Sequence, residues 1–179
     1  MIDQLIIGVV SGVVASVCFS LFLIMVRPKL MISDKLCQSN DETNVYRIKI
    51  VNKSMAILNN IHYSLHYCRD LGDGIKEIEE IAPRKTKVSF IDKYSWLDKD
   101  GDYAVRISYV IDTAKYPMDD GAYLEFNIMA SHSLSNTMRC VKKVYAKKDI
   151  QLGFFETGKS MKILVGKSVV PTKDAVVTI

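Results

Sequence analysis

The sequence predicts an all-β protein with a single N-terminal transmembrane helix, which is followed by a β-sandwich or a small β-barrel. Two observations support this prediction. An uncharged apolar run extends from Leu5 to Val26, and most of the remaining chain alternates apolar and polar residues with a period of two. We therefore divide the 179-residue chain into a transmembrane anchor, residues 1–28, and a cytoplasmic β domain, residues 29–179.

The apolar run is long enough to cross a bilayer. It contains 22 residues, and the hydrocarbon core of a bilayer needs about 20 residues of helix. A cleaved signal peptide has a basic leader and a shorter apolar core, whereas this run follows the acidic leader Met1-Ile2-Asp3-Gln4. We therefore expect the helix to be retained as an anchor.

The charges that flank the run predict its orientation. Only Asp3 and the terminal amine precede the run, whereas Arg27, Lys29 and Lys35 follow it. Positive charge stays on the cytoplasmic side during insertion, so we expect the N-terminus outside and the C-terminal domain in the cytoplasm. Pro28 predicts a sharp end to the helix, because proline cannot continue it.

The cysteines fit a reducing compartment. Cys18 lies in the apolar run, and Cys37, Cys68 and Cys140 are widely spaced in the β domain without a Cys-x-x-Cys pair. Disulfide frameworks and zinc sites have paired or closer spacings. We therefore expect free thiols.

The β domain is predicted from its short alternating segments. Between them lie turn signals such as Gly72-Asp73-Gly74 and Asp119-Asp120-Gly121. The candidate strands cover residues 45–52, 61–68, 86–91, 103–111, 122–130, 138–146 and 162–166. The segment 74–85 fits either a short helix or a strand, because Ile75, Ile78 and Ile81 suit both periods.

Small residues recur within the apolar run and predict a helix-association face. Gly8 and Gly12 form a Gly-x-x-x-Gly pair, a pattern that lets two membrane helices approach closely. The face is formed by Gly8, Ser11, Gly12, Ala15 and Ser16. Serine hydroxyls are expected to add hydrogen bonds between helices, and the protein is expected to form homo-oligomers in membrane lipid. The alternative is that small residues are simply common in membrane spans.

The segment "GFFETGKS", Gly153 to Ser160, matches the pattern of a nucleotide phosphate loop. Such a loop must lead into a helix of a parallel α/β sheet, but the residues that follow, Met161 to Gly166, are too few and too β-branched for that helix. We therefore interpret the segment as a hairpin turn in an all-β domain.

Other candidate sites are also weak. Asp98 to Tyr103 resembles a calcium loop, but its glycine is fourth rather than sixth. His62 and His66 would lie about 13 Å apart along a strand, too far to share a metal ion. His132 has hydroxyl neighbours in the sequence but no identifiable acid partner. We predict no catalytic residue, no metal site and no cofactor, and we do not expect an enzyme.

Basic residues are concentrated near the C-terminus. Between Arg139 and Lys173 there are nine lysines and arginines against Asp149 and Glu156. The candidates for binding an anionic ligand or lipid are Arg139, Lys142, Lys143, Lys147, Lys148 and Lys159. The alternative is that these residues coat exposed strand edges. Nucleic acid is not expected as a partner, because few aromatic residues suited to base stacking accompany them.

The layout of a short N-terminal span followed at once by a compact β domain resembles the small membrane-anchored effectors of bacterial antiphage defence systems, of cyclic-oligonucleotide or retron type. The resemblance implies a bacterial inner-membrane protein whose β domain receives a signal ligand or an operon-encoded partner, and whose assembled spans disrupt the membrane. Many of those effectors have two or more spans, whereas one is predicted here. The alternative is a non-toxic membrane tether or interaction module with an immunoglobulin-like domain.

Overall fold

The computed structural model describes residues 2–25, 27–85, 87–98 and 101–166. In these residues, one helix, α1 (Ile2–Met25), precedes eleven strands. The strands are β1 (Leu30–Ile32), β2 (Leu36–Ser39), β3 (Val45–Asn52), β4 (Leu58–Gly72), β5 (Ile75–Ile81), β6 (Phe90–Ile91), β7 (Ala104–Val110), β8 (Ala122–His132), β9 (Met138–Tyr145), β10 (Ile150–Phe155) and β11 (Ile163–Leu164). The protein is therefore mostly β, with one N-terminal apolar helix.

Helix α1 is apolar, and the described side chains of its central window are not buried by the β domain. Its window Ile6–Leu23 has a mean hydropathy of 2.5, and none of that window is buried. An apolar helix that buries none of its surface in its own chain needs another apolar environment, because exposed apolar surface is costly in water. By length and composition, α1 can cross a membrane.

The first sheet, sheet A, is built around β3. Strand β7 pairs with one edge of β3 along nearly its whole length, and β1 and β2 pair with the two halves of the other edge. Strand β10 then pairs with β2 in parallel, with Ile150 opposite Leu36. Strand β11 pairs with β10 in an antiparallel hairpin.

The second sheet, sheet B, is built around β4. Strand β8 pairs with one edge of β4, and β9 pairs with the outer edge of β8. On the other edge of β4, β6 pairs near its start, with Leu58 opposite Ile91, and β5 pairs with its second half, with Leu65 opposite Ile81. Because β5 and β6 occupy different parts of one edge, the chain between them runs outside the ladder.

The core lies between the two sheets. Alternate residues of β3, such as Ile48 and Ile50, belong to the same buried cluster as Leu65 of β4 and Leu124 and Phe126 of β8. Alternation along a strand sends every second side chain to one face, so the two inner faces share one core. The arrangement is sandwich-like.

Most of the predicted strands are confirmed, with differences at the weaker segments. The prediction for 86–91 was too long: only Phe90 and Ile91 pair, residues 87–89 join no strand, and Thr86 lies outside the described residues. The segment left open between helix and strand forms β5. Strands β1, β2 and β10 were not predicted, since they are short and do not alternate.

Candidate functional site

Helix α1 carries an open groove on one side. The groove follows the row of Gly8, Gly12, Ser16 and Ser20, and valines and a leucine form its wall. These four residues are spaced by four and so lie one above the other on an α-helix. The groove therefore contains Gly8, Gly12 and Ser16 of the predicted association face, whereas Ser11 and Ala15 do not line it.

The serine hydroxyls of α1 donate to the helix's own backbone. Ser11 Oγ donates to the Gly8 carbonyl at 3.0 Å, Ser16 Oγ to the Gly12 carbonyl at 2.8 Å, and Ser20 Oγ to the Ser16 carbonyl at 2.8 Å. A serine hydroxyl has one proton to donate, so in this conformation only its lone pairs face outward. The groove therefore offers close backbone contact rather than hydrogen-bond donors to a second helix.

The segment after α1 is bonded to the β domain at once. The Lys29 amide donates to Ser54 Oγ at 2.8 Å, and the Lys53 amide donates to the Lys29 carbonyl at 2.7 Å. On the other sheet, Arg139 Nη1 donates to the Pro28 carbonyl at 3.0 Å. Both sheets thus hold the junction, which fixes the end of the β domain that lies nearest the helix.

Three of the predicted basic residues lie on β9, the outer strand of sheet B. Arg139 reaches the junction through Pro28, Lys142 forms an ion pair with Glu125, and Lys143 forms one with Asp34. The hydrogen bond from Lys142 lowers the pKa of the Glu125 carboxyl and raises the pKa of the lysine. Charges that are already paired attract an added anion weakly.

The other predicted basic residues lie elsewhere. Lys147 and Lys148 are in a short 3-10 turn between β9 and β10, and Lys159 is at the tip of the β10–β11 hairpin. Arg139 and Lys147 are separated by about 26 Å of extended chain. The structure therefore does not gather the predicted set into one site; Lys167 and Lys173 lie outside the described residues.

The segment that matches a phosphate loop forms the β10–β11 hairpin, as the hairpin interpretation predicts. A Cβ at Gly153, where φ is +146°, would lie 2.2 Å from the Leu164 carbonyl oxygen. A Cβ at Gly101 would lie 2.8 Å from the Cα of Gly158. Close contact with β11 therefore explains Gly153, the first glycine of the motif, while Gly158, the second, has a φ of +64°, a conformation that favours glycine.

The loop of this hairpin closes around a lysine. Lys49 of β3 is fully buried, and its Nζ donates to the carbonyls of Glu156 and, at 2.7 Å, Ser160. Arg106, opposite Lys49 on β7, directs Nη2 at the carbonyls of Phe155 and Glu156, 3.4 and 3.5 Å away. A phosphate loop directs amide protons at an anion, whereas these carbonyl oxygens face cations.

Burial shifts the pKa values of two side chains on the face of sheet A that carries Lys49. It lowers the pKa of Lys49 from 10.5 to about 8; the nearby Arg106 charge acts in the same direction, and Glu156 partly opposes it. On the same face of sheet A, burial raises the pKa of the Cys37 thiol to about 11, and Arg47 and Arg106 partly offset this effect. The burial of Lys49 cannot be recognised from the sequence, because its alternation with Arg47 is typical of a solvent-facing strand face.

In the acidic turn that resembles a calcium loop, a carboxylate is hydrogen-bonded to backbone amides of the turn itself. The Asp98 carboxylate accepts hydrogen bonds from the amides of Gly101 and Asp102, each at 3.1 Å. Such bonds are typical of a turn. Asp100 lies outside the described residues.

The histidines lie in separate places. His62 and His66 are on the outer face of sheet B, opposite Met129 and Glu125 of β8. His132 ends β8 and is buried, and burial lowers its pKa. Its Nδ1 lies 3.3 Å from Ser135 Oγ, within the turn that leads to β9. Among the described residues, no group of three or more histidine, cysteine or acidic side chains is placed to hold a metal ion.

The site therefore has two parts: an unpartnered apolar helix with a groove of small residues, and a β domain held directly against the end of that helix. The chain matches no protein-family model, and no curated protein is detectably similar to it in sequence.

Proposed function

We propose that the chain is a single-pass membrane protein that α1 anchors in a bacterial inner membrane, with the N-terminus outside and the β domain in the cytoplasm. The observation that carries this proposal is that no residue of the apolar window Ile6–Leu23 is buried. A helix of this length satisfies its own backbone hydrogen bonds in lipid. Arg27 and Lys29 at its C-terminal end support the cytoplasmic placement of the β domain.

The helices are proposed to self-associate through the groove of Gly8, Gly12, Ser16 and Ser20. Lipid chains are as apolar as valine, so association in a membrane depends on close packing. Two glycines one turn apart allow that packing, and the valine wall beside them gives each helix a ridge to place in the partner's groove. Homo-oligomers of this kind bring several β domains together at one membrane site.

The β domain is proposed to receive a signal ligand or a protein partner at the end away from the helix. There the β4–β5 hairpin extends past β8, since β4 pairs with β8 only as far as Arg69 but with β5 as far as Gly72. Leu71, Ile75 and Ile78 on this hairpin are exposed. Exposed apolar side chains that project in this way are typical of interaction surfaces.

The proposed output is disruption of the membrane by the assembled helices, as in the antiphage effectors that the layout resembles, and it needs no catalytic residue. The test is to express the full chain in a bacterium with its neighbouring genes and to follow membrane potential with a voltage-sensitive dye. We compare the wild type with Gly8→Leu/Gly12→Leu. The matched control is Val10→Leu/Val14→Leu, which adds bulk outside the groove.

We expect the wild type and the control to depolarise the membrane, and the groove variant to preserve the potential. Cross-linking in the same cells should show oligomers for the wild type and the control and monomers for the groove variant. If the groove variant still assembles and depolarises the membrane, the proposed role of the groove is wrong.

The second candidate function is a membrane tether without toxicity, and the exposed β4–β5 hairpin favours it. In that case an operon-encoded partner should co-purify with the full chain in stoichiometric amount. Replacing Leu71 and Ile75 by aspartate should abolish co-purification, because it places charge on the apolar surface. An unchanged membrane potential together with this loss would favour the tether over the effector.

A further inference from the structure

Large exposed apolar side chains are concentrated at the end of the β domain that receives the helix. We call this region the helix-proximal end and define it by the loops 53–57, 92–98 and 133–137 together with the first residue of β9. Its exposed apolar residues are Met55, Trp96, Leu97, Leu134 and Met138, with 91%, 81%, 73%, 76% and 57% of their surface accessible. A concentration of this size marks a binding surface for another apolar phase.

Hydrogen bonds place these loops around the junction with α1. Loop 53–57 is bonded directly to Lys29, and the Tyr94 amide donates to the Ser54 carbonyl at 3.2 Å, which brings loop 92–98 beside it. The Ser133 amide donates to the Ile57 carbonyl at 3.0 Å, which adds loop 133–137. The apolar residues therefore come from three separate loops that meet where the chain leaves the helix.

The length of the junction fixes how far this end can lie from the bilayer. Met25 ends α1, and Lys29 is already bonded to the β domain. Four residue steps span at most about 15 Å. The headgroup layer on each side of the hydrocarbon core is about 5 to 8 Å thick. A helix that crosses the membrane therefore holds the three loops at or just beyond the headgroups.

The charges at this end suit an anionic lipid surface. Five basic residues are exposed there: Arg27, Lys29, Lys53, Lys93 and Arg139. Among the described residues on or beside the same loops, the acidic ones are Asp92, Asp98 and Asp102, and the Asp98 carboxylate already accepts hydrogen bonds from two backbone amides. Each lysine or arginine near an anionic leaflet adds electrostatic attraction to the membrane surface.

We propose that the helix-proximal end of the β domain is a lipid-binding surface. Five apolar side chains enter the headgroup layer: Trp96, Leu97, Met55, Leu134 and Met138. The five basic residues contact lipid phosphates. Tryptophan is enriched at this depth of membranes because its ring is apolar and its N–H is polar. The proposal rests on the proposed membrane anchoring by α1, and it adds that the β domain itself lies on the bilayer instead of moving freely beneath it.

The chain contains a single tryptophan, so Trp96 reports directly on this surface. The experiment reconstitutes the full chain in vesicles of phosphatidylcholine and phosphatidylglycerol, with and without lipids brominated close to the headgroup. We expect brominated lipid to reduce Trp96 emission about twofold, because interfacial tryptophan lies at the depth of these bromines. We also expect acrylamide in the aqueous phase to quench the emission less than it does after detergent solubilisation.

The matched control moves the reporter to the other end of the β domain. In Trp96→Phe/Leu71→Trp the only tryptophan lies on the distal β4–β5 hairpin, where Leu71 is exposed. Its emission should be unaffected by brominated lipid and strongly quenched by acrylamide. In Leu97→Asp/Leu134→Asp, quenching of Trp96 by brominated lipid should fall, because two charges are placed against the lipid.

Vesicle flotation separates failure of this proposal from failure of the anchor. A chain that floats with the vesicles but whose Trp96 is quenched by acrylamide and not by brominated lipid overturns the lipid-binding surface alone. A chain that floats with Trp96 protected from both quenchers also overturns it, in favour of a second copy covering this end. A chain that is extracted by alkaline carbonate overturns the anchor, and the lipid-binding surface with it.

Discussion

Lys49 Nζ donates a hydrogen bond to the Ser160 carbonyl, 2.7 Å away, from a position with no solvent exposure. The bond joins β3 of sheet A to the tip of the β10–β11 hairpin, and 111 residues separate the two partners in the sequence. A buried ammonium is costly unless its protons are satisfied. The hairpin therefore supplies the carbonyls that allow a lysine in the interior, and the lysine holds the hairpin against the sheet.

The lowered pKa of Lys49 predicts a pH dependence of stability. Below about pH 8 the lysine is protonated in both the folded and the unfolded state, and the folded state carries the full cost of the buried charge. Between about 8 and 10.5 the unfolded state binds the proton more tightly, so the free energy of unfolding rises with pH. Cys37 opposes this above pH 9, because its folded pKa is raised to about 11.

A comparison with Lys49→Met isolates the lysine from Cys37. We expect the wild type to gain stability relative to Lys49→Met as the pH rises from 8 to 10.5. The measurement is urea unfolding of the full chain in detergent, followed by fluorescence. Parallel pH profiles of the two proteins would contradict the prediction.

Replacement by phenylalanine should affect the free energy of unfolding differently at two fully buried tyrosines. Tyr145 donates its hydroxyl proton to the Ser33 carbonyl at 2.8 Å, whereas the Tyr109 hydroxyl has no hydrogen-bond partner in the described part of the chain. Tyr145→Phe should lower the free energy of unfolding by about 1 to 2 kcal/mol, because it removes a buried hydrogen bond. Tyr109→Phe should leave it unchanged or raise it, since it removes an unsatisfied polar group.

Thermal unfolding of both variants, each against the wild type, is the measurement. An equal loss of stability in the two variants would show that the Tyr109 hydroxyl has a partner after all.

Gly101 and Gly74 have nearly the same φ, +75° and +77°, but different surroundings. Alanine should cost about 1 to 2 kcal/mol at either position because of the left-handed conformation. At Gly101 the new Cβ would also lie 2.8 Å from Gly158 Cα, whereas at Gly74 it meets nothing within 4 Å. Gly101→Ala should therefore cost about 1 to 3 kcal/mol more than Gly74→Ala, and urea unfolding tests this difference.

Cys140 provides a test of orientation. It is exposed on β9, whereas Cys37 and Cys68 are buried. A membrane-impermeant maleimide should leave the protein unlabelled in intact bacteria and should label it once the membrane is permeabilised. Cys140→Ser should abolish that labelling. Labelling of Cys140 in intact cells would place the β domain outside and reverse the proposed topology.

The strands that could be predicted are those whose apolar and polar residues alternate. In β7 and β8 this alternation follows from a core on one side, whereas β3 is buried on both faces and alternates only because Arg47 and Lys49 lie on the face that the β10–β11 hairpin covers. Strand β5 carries Ile75, Ile78 and Ile81 three residues apart and is mostly exposed, so no core imposes a period of two on it. The sequence "LCQS" of β2 is almost wholly buried because the β10–β11 hairpin covers the outer face of sheet A, and nothing local indicates that cover.

The part of the candidate site that could be predicted from the sequence is the part that helical spacing alone determines. Gly8, Gly12 and Ser16 share a groove because helical spacing alone places them together. The basic residues from Arg139 to Lys159 are close in sequence but are separated by the extended β9 and by a turn. The helix-proximal end could not be recognised from sequence, since Met55, Trp96 and Leu134 come from loops that meet only in the folded domain.

The parallel pairing of β2 with β10 also sets an order of events during synthesis. Leu36 is made soon after the helix, but its ladder partner Ile150 is made more than a hundred residues later. By the time β10 leaves the ribosome, α1 has already had the opportunity to enter the bilayer. Under the proposed anchoring by α1, sheet A is therefore completed on a chain that is already tethered to the membrane.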